Sequence, residues 1–573
     1  FDSTTYAIQA AKINIIQKTL KPDMETSNLT FAQNLFQWGE YIGGLFNPSF
    51  SSSFVAKINQ ETFWNAIHKI TNFPQWYRTW WISLAKTDPV HVFIETALIA
   101  FVIYLLAFTE INNSGAGRNK KKKKKDGSNS DIDLLTETEK EELVRDWKPA
   151  PLVPPQEYQS NRTDNGIVVH KVDGTQLMIQ DKFCSSLESS SSPSTRTVLN
   201  MASYDFLGLG SSEPSIKDIS KAALMTYGCG SCGPRGFYGT IDVHLDLEKK
   251  ISQFCHTDDA IMYSDGASAA TSTVAAFAKR GDLLIVDEGV YEALQTGVTL
   301  SRANVVYFKH NDMSDLRRVL QKIRETDAKI GRKPADQRRF IVVEGLYKNY
   351  GHICPLDELV AIKKEFSYRL IVDESFSFGT LGATGRGVIE LYQKNIMEDV
   401  EIVIISLENS LASIGGVCVG NLQVVDHQRL SGAGYCYSAS APPFVAAAAI
   451  EALSQLEKNS EILQTLERNK IALYKELLGI PEFEIVSDKR SSIVFIRLAD
   501  RSSLSEAEEE CILGKFALFC LQNGVVMVST TNANDLRMRP PPSLRMTITA
   551  GHTNEDIRKT AESLRKAVQA VSF

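Results

Sequence analysis

At 573 residues the chain exceeds one ordinary domain and has room for a large core with appendages. Its apolar share of 43% and charged share of 23% exclude a disordered chain, and a formal net charge of -6 gives no general reason to expect nucleic acid. Nine cysteines scattered along such a length fit reduced thiols in a cytosolic main domain better than a disulfide scaffold.

The chain opens on Phe1, so this end carries no reading of a signal peptide. The first strong signal is the apolar run Val90 to Phe108, close to the roughly 20 residues a helix needs to cross a bilayer. His91 and Glu95 interrupt it near one end, and a buried core helix is the alternative. The flanks favour a membrane. Trp76, Tyr77, Trp80 and Trp81 precede the run as an aromatic belt would, and Lys120 to Lys125 follow it. Six consecutive lysines repel one another and act as a solvated linker, a positive-inside anchor, or both. A transmembrane helix is therefore predicted over 89–109, with the rest of the chain cytosolic and an N-terminal extension, 1–88, on the lumenal side. There the sequon Asn28-Leu29-Thr30 is a weak candidate for glycosylation.

Residues 110–195 read as linker and partner-wrapping segment. Within them, 110 to 133 are a polar Gly/Ser/Lys stretch, and a short acidic helix is predicted from Glu137 to Trp147, ended by Pro149, Pro151, Pro154 and Pro155. From 196 the pattern becomes regular. Short apolar runs at 260–264, 283–287, 304–308, 339–344, 369–373 and 401–406 alternate with helix-length amphipathic segments. Near-continuous apolar strands between helices predict an α/β fold with a mainly parallel, doubly wound sheet over 196–455. A smaller C-terminal α+β domain is predicted over 456–573, with SSIVFIRL, GVVMVS and LRMTITA as strands.

In open parallel sheets, ligands bind beyond the carboxyl ends of the strands. The run RLIVD ends there in Asp373, which alone reads as a cap or turn more readily than as a site. The turn Gly382 to Gly387 with Arg386 is more specific, although a salt bridge tying that turn to the sheet is the preferred role for Arg386. The loop from Tyr227 to Thr240, followed by His244 and Glu248, is too glycine-dense for a helix and must hug its own core or a neighbour. No metal ligand is singled out.

These residues carry a resemblance. NMASYDFLG at 200–208, the glycine loop running to Glu248, VVEG at 342–345, VDES at 372–375, GATGRG at 382–387 and SIGG at 413–416 resemble the α-oxoamine synthases. The likeness covers about residues 135 to 573 and is nearest to the first long-chain base subunits of the serine palmitoyltransferases, through CGPRGFYGT, HNDM, VVEGLY, ENSLASIGG and DHQRLSGAGYCYSAS. It implies a fold-type I pyridoxal-phosphate transferase whose active sites lie at a dimer interface. Condensation of L-serine with palmitoyl-CoA to 3-ketosphinganine, in sphingolipid synthesis, is the reaction it implies.

By the same resemblance, active members hold the cofactor through a lysine six residues before the first Gly of the final Gly-Gly. Asn409 stands at that position, and no lysine occurs between Lys394 and Lys458. The family's aspartate for the ring nitrogen survives as Asp373, a vestigial ligand, while its following histidine is replaced by Phe376 and its ring-stacking histidine by Tyr291. The implied protein is a non-catalytic subunit. Its pyridoxal phosphate is bound by the partner, long-chain base subunit two, and it works with a small activating subunit and ORM-type regulators as a single-pass protein of the endoplasmic reticulum membrane. Ser438 and Ser440 would reach the partner's cofactor in trans, and Cys232, Arg235 and Tyr238 would form the interface loop. For Cys232 a small buried residue in a tight loop is an equal alternative. Arg545 matches the family arginine for the substrate carboxylate, and His244 and His310 read as caps or core hydrogen-bonding residues. Two other readings compete: a scaffold or regulatory pseudo-enzyme with no part in the active site, and a self-sufficient synthase, which Asn409 opposes.

Overall fold

A computed structural model describes residues 167–180, 195–530 and 536–571, together with Ser83 standing apart. The chain divides into two units, Phe1–Val153 and Pro154–Phe573, and all the described strands lie in the second. The apolar run 90–108, the lysine tract and the acidic helix lie outside the described residues. Among the described residues no helix is long and apolar enough to cross a membrane.

Three strands come first: β1 (Val168–Asp173), β2 (Gln176–Gln180) and β3 (Arg196–Asn200). The first two form an antiparallel hairpin through Gly174, at φ +57°, so the described part of the stretch read as linker holds paired strands. Its signal is the Asp-Gly turn between β-branched runs. The expected central strands follow as β4 (Asp259–Tyr263), β5 (Leu283–Asp287), β6 (Asn304–Phe308), β7 (Arg339–Glu344), β8 (Arg369–Asp373) and β9 (Ile402–Ser406). One more, β10 (Gly416–Gly420), is not among those expected. Its two glycines weaken the strand pattern, yet all five residues are buried.

The seven strands form one sheet in the order β4-β10-β9-β8-β7-β5-β6. Neighbours from β9 to β6 are parallel, whereas β10 runs antiparallel to both β9 and β4. The sheet is thus mainly parallel but mixed. The inner strands β5, β7 and β9 are buried along their whole length, as helices on both faces require. Local chemistry starts those helices. Asp265 accepts the Ser268 N–H to open Gly266–Phe277, Asp312 accepts that of Asp315 to open Met313–Ile330, and Gly331 at φ +70° closes the latter.

The terminal region adds β11 (Phe483–Ile485), β12 (Ile493–Leu498), β13 (Val525–Val526), β14 (Val528–Ser529) and β15 (Leu544–Thr547). An antiparallel sheet β11-β12-β15-β14 is flanked by the helices Glu461–Leu478, Glu506–Gln522 and Asn554–Ala570, the expected α+β arrangement. The segment GVVMVS, read as one strand, divides between two sheets: β13 pairs in parallel with β3, and β14 pairs with β15.

Candidate functional site

Parallel neighbours bring their carboxyl ends to one edge of the sheet. Glu344 and Asp373, the last residues of β7 and β8, are register partners there, and Asn409 lies just beyond the end of β9. Burial pushes the Asp373 carboxyl up to about 6. One of its oxygens accepts the Ser375 N–H at 2.8 Å, and the other accepts the Tyr291 hydroxyl at 3.0 Å. Tyr291 is itself buried. Its surroundings, then the charges of Asp373 and Glu344, push its hydroxyl well above the ordinary tyrosine value, so it stays a neutral donor. The Tyr291 N–H donates to Glu344 at 2.7 Å, and the Lys348 N–H donates to the other Glu344 oxygen at 2.9 Å. Burial likewise raises Glu344 well above the usual carboxylate range.

Asn409 is buried and hydrogen-bonded through side chain and backbone. Its side-chain NH2 donates to the Ser375 carbonyl at 2.8 Å, and its backbone carbonyl accepts from the Phe206 N–H at 2.9 Å. Phe376 packs edge-on against Tyr291, with ring centres 6.0 Å apart, and against Tyr204 at 5.2 Å. Arg545 lays its guanidinium 4.5 Å over the Tyr204 ring and donates to the Ala202 carbonyl at 3.0 Å. A pyridoxal-type aldehyde held in this chain would need an amine for the imine, a free carboxylate oxygen for its ring nitrogen and a flat platform. Asn409 offers an amide, whose nitrogen is bonded to the Ser375 carbonyl and forms no imine. Without an amine at that position these residues do not fit a covalently held cofactor.

The glycine loop forms a second centre. Arg235 is buried and commits both terminal nitrogens to Glu248, at 2.9 and 3.0 Å, and its Nε to the Thr240 hydroxyl at 3.0 Å. Glu248 also accepts the Met262 N–H at 2.8 Å, so the pair fastens the loop to β4. Arg235 is therefore an internal anchor, not a surface contact. The loop is stapled to the 438–440 segment: the Ser440 N–H and hydroxyl both donate to the Gly233 carbonyl, at 2.9 and 3.0 Å, and Ser231 donates to the Ser440 carbonyl at 3.0 Å. A Cβ at Gly239 would lie 1.8 Å from the Gly233 oxygen and 2.5 Å from the Ser440 hydroxyl, which fixes glycine there. Cys232 is exposed at φ +58°, with its sulfur 3.8 Å from the Gly230 carbonyl. Ser438 is half-buried. Beside the staple, Tyr238 is 94% exposed, Tyr437 84% and Phe237 72%, an aromatic face far more open than a core would leave it.

Two other residues singled out from the sequence are structural. Arg386 donates to the Phe254 carbonyl at 2.6 Å, lies over the Phe254 ring and pairs with Glu390 at 3.5 Å. His244 caps its helix, accepting from the Ile241 N–H and donating to the Ala441 carbonyl at 2.8 Å. Sequence reasoning missed the roles of Glu344 and Tyr204. Both sit inside motifs that mark the site, but nothing along the chain shows which neighbour each one meets.

The model of the aminotransferase class I and II family matches residues 196–564. The long chain base biosynthesis protein 1b of Oryza sativa is 42% identical over 76% of this chain and 86% of its own length. Serine palmitoyltransferase 1 of Dictyostelium discoideum is 37% identical over 86% and 97%. Among solved structures, a serine palmitoyltransferase from S. paucimobilis with a bound PLP–myriocin aldimine is 26% identical, with a TM-score of 0.63 over 73% of this chain and 96% of that one.

Proposed function

The chain belongs to the aminotransferase class I and II family, among the serine palmitoyltransferases of long-chain base synthesis, and from that premise we propose that it is a non-catalytic subunit. In this reading a second subunit of the same fold binds pyridoxal phosphate, serine and palmitoyl-CoA, and this chain completes that subunit's site. One observation carries it: Asn409 stands where an imine-forming amine is needed, with its amide spent on the Ser375 carbonyl.

The face offered to the partner is the stapled loop with Phe237, Tyr238 and Tyr437, beside Cys232, Ser438 and Ser440. Exposed aromatic side chains on a rigid support are the anchors that interfaces favour. A location in the endoplasmic reticulum membrane, a transmembrane helix at 89–109, a small activating subunit and ORM-type regulators belong to the same proposal and rest on the sequence alone.

Co-purification with the catalytic subunit tests it, with turnover measured for each chain alone and for both together. Activity is expected from the pair only. Tyr238→Ala and Cys232→Ala in the fully assembled complex then separate a shared site from a scaffold. Lowered turnover supports the shared site, and unchanged turnover in both variants assigns the chain a scaffolding role.

A further inference from the structure

Away from the Asp373 cluster, a part-buried chain of hydrogen bonds runs from the central sheet to the small one. Asp287 ends β5, and its Oδ1 meets His310 Nδ1 at 2.9 Å. His310 Nε2 meets His352 Nδ1 at 2.9 Å, and His352 Nε2 meets the Val486 carbonyl, just past β11, at 2.8 Å. The two imidazoles lie nearly coplanar, 17° apart, with Tyr347 edge-on to His310. A Cβ at Gly289 would fall 2.5 Å from His310 Nδ1, so the turn after β5 is pressed directly onto this ring.

Counting protons fixes the state of this chain. A carbonyl oxygen only accepts, so His352 Nε2 carries a hydrogen. A second hydrogen must lie between the two rings, and a third between His310 and Asp287. Asp287 also accepts the Gly289 N–H at 2.7 Å and the Asn311 N–H at 2.9 Å, so both its oxygens act as acceptors here. Three hydrogens then sit on two imidazoles, one more than two neutral rings hold. The pair is singly charged and balances the aspartate. The extra hydrogen lies on the link between His310 Nδ1 and the Asp287 carboxylate.

We propose that Asp287, His310 and His352 form a proton-dependent clamp that fastens the turn carrying Tyr291 to the small antiparallel sheet. With all three hydrogens present each link is a hydrogen bond. When the pair loses its extra proton, one link is left as two facing acceptors and the clamp opens. Protonation thus holds the two sheets together around the site edge, and rising pH loosens them.

The other charged and titratable groups around the clamp are few. Glu288 and Glu292 stand on the same turn, Glu344, Tyr347 and Tyr350 come from β7 and its loop, and Asp488 comes from the small domain, where Arg490 neutralises it at 2.8 Å. The acidic members favour keeping the proton in the pair. Burial holds both tyrosine hydroxyls above their ordinary value, so neither titrates in the relevant range.

The test compares the full-length chain with the double variant His310→Gln/His352→Gln, whose amides keep hydrogen-bonding groups of similar reach but do not titrate. Unfolding temperature is followed from about pH 6 to about pH 9, a span that brackets ordinary histidine titration. The wild-type chain is expected to lose about 1 °C more than the variant, the effect of one lost hydrogen bond of about 1 kcal/mol in a folded unit of this size. Equal slopes overturn the clamp. Should the variant not fold, histidine C2 hydrogen exchange read by mass spectrometry on the wild-type chain decides instead. One of the two rings protonated at pH about 7 supports the clamp, and two neutral rings there overturn it.

Discussion

Asp373 is a buried carboxyl at the end of β8 with two hydrogen-bond donors. The Tyr291 hydroxyl meets it at 3.0 Å, across 82 residues of sequence. Tyr291→Phe removes that donor and leaves a buried carboxyl with one hydrogen bond fewer. A loss of about 1–2 kcal/mol is expected, measured by denaturant unfolding. Arg235→Ala has a larger effect because it strands Glu248 in the core without its bidentate partner. About 3–5 kcal/mol is expected, with Arg235→Lys recovering little, since an ammonium cannot reproduce two parallel bonds. At this scale the sequence names the residues and is silent about their contacts. Asn409 stands out only through the family resemblance. That Tyr291 would cap Asp373, or that Arg235 would turn inward to Glu248, depends on contacts that no local pattern encodes.

The elements were more legible. Runs such as LLIVD and RLIVD, bounded by polar residues, read as buried strands because both faces of a parallel sheet are covered, and β5 and β8 stand where those runs lie. β10 escaped because Gly416 and Gly420 leave only three strand-favouring residues between them. The division of GVVMVS between two sheets escaped because periodicity identifies a strand but not its neighbours. The staple between the glycine loop and the 438–440 segment makes a further expectation at this scale. Gly239→Ala drives a methyl into the Gly233 carbonyl and the Ser440 hydroxyl, neither of which can withdraw without losing their shared bonds. Destabilisation by about 1–3 kcal/mol is expected, together with weakened association with the catalytic subunit, read by unfolding and by co-purification.

Across the whole molecule, buried carboxyls set a pH dependence that the charge count alone hides. Burial pushes Asp373 up to about 6 and Glu374 up to about 7. Glu374 is buried, with its oxygens accepting from the Ser377 hydroxyl and from the N–H groups of Val388 and Ile389. A raised carboxyl keeps its proton in the folded state after the unfolded chain has released it. The contribution of these two carboxyls to stability therefore falls as pH rises from the ordinary carboxylate values through about 6 to 7. Glu374→Gln is expected to flatten this profile by on the order of 3 kcal/mol, measured by unfolding across that range. The most direct measurement concerns the purified chain by itself, supplied with pyridoxal phosphate, serine and palmitoyl-CoA. No borohydride-sensitive absorbance near about 420 nm and no ketone product are expected. Product formed by the lone chain would contradict its assignment as a dependent subunit.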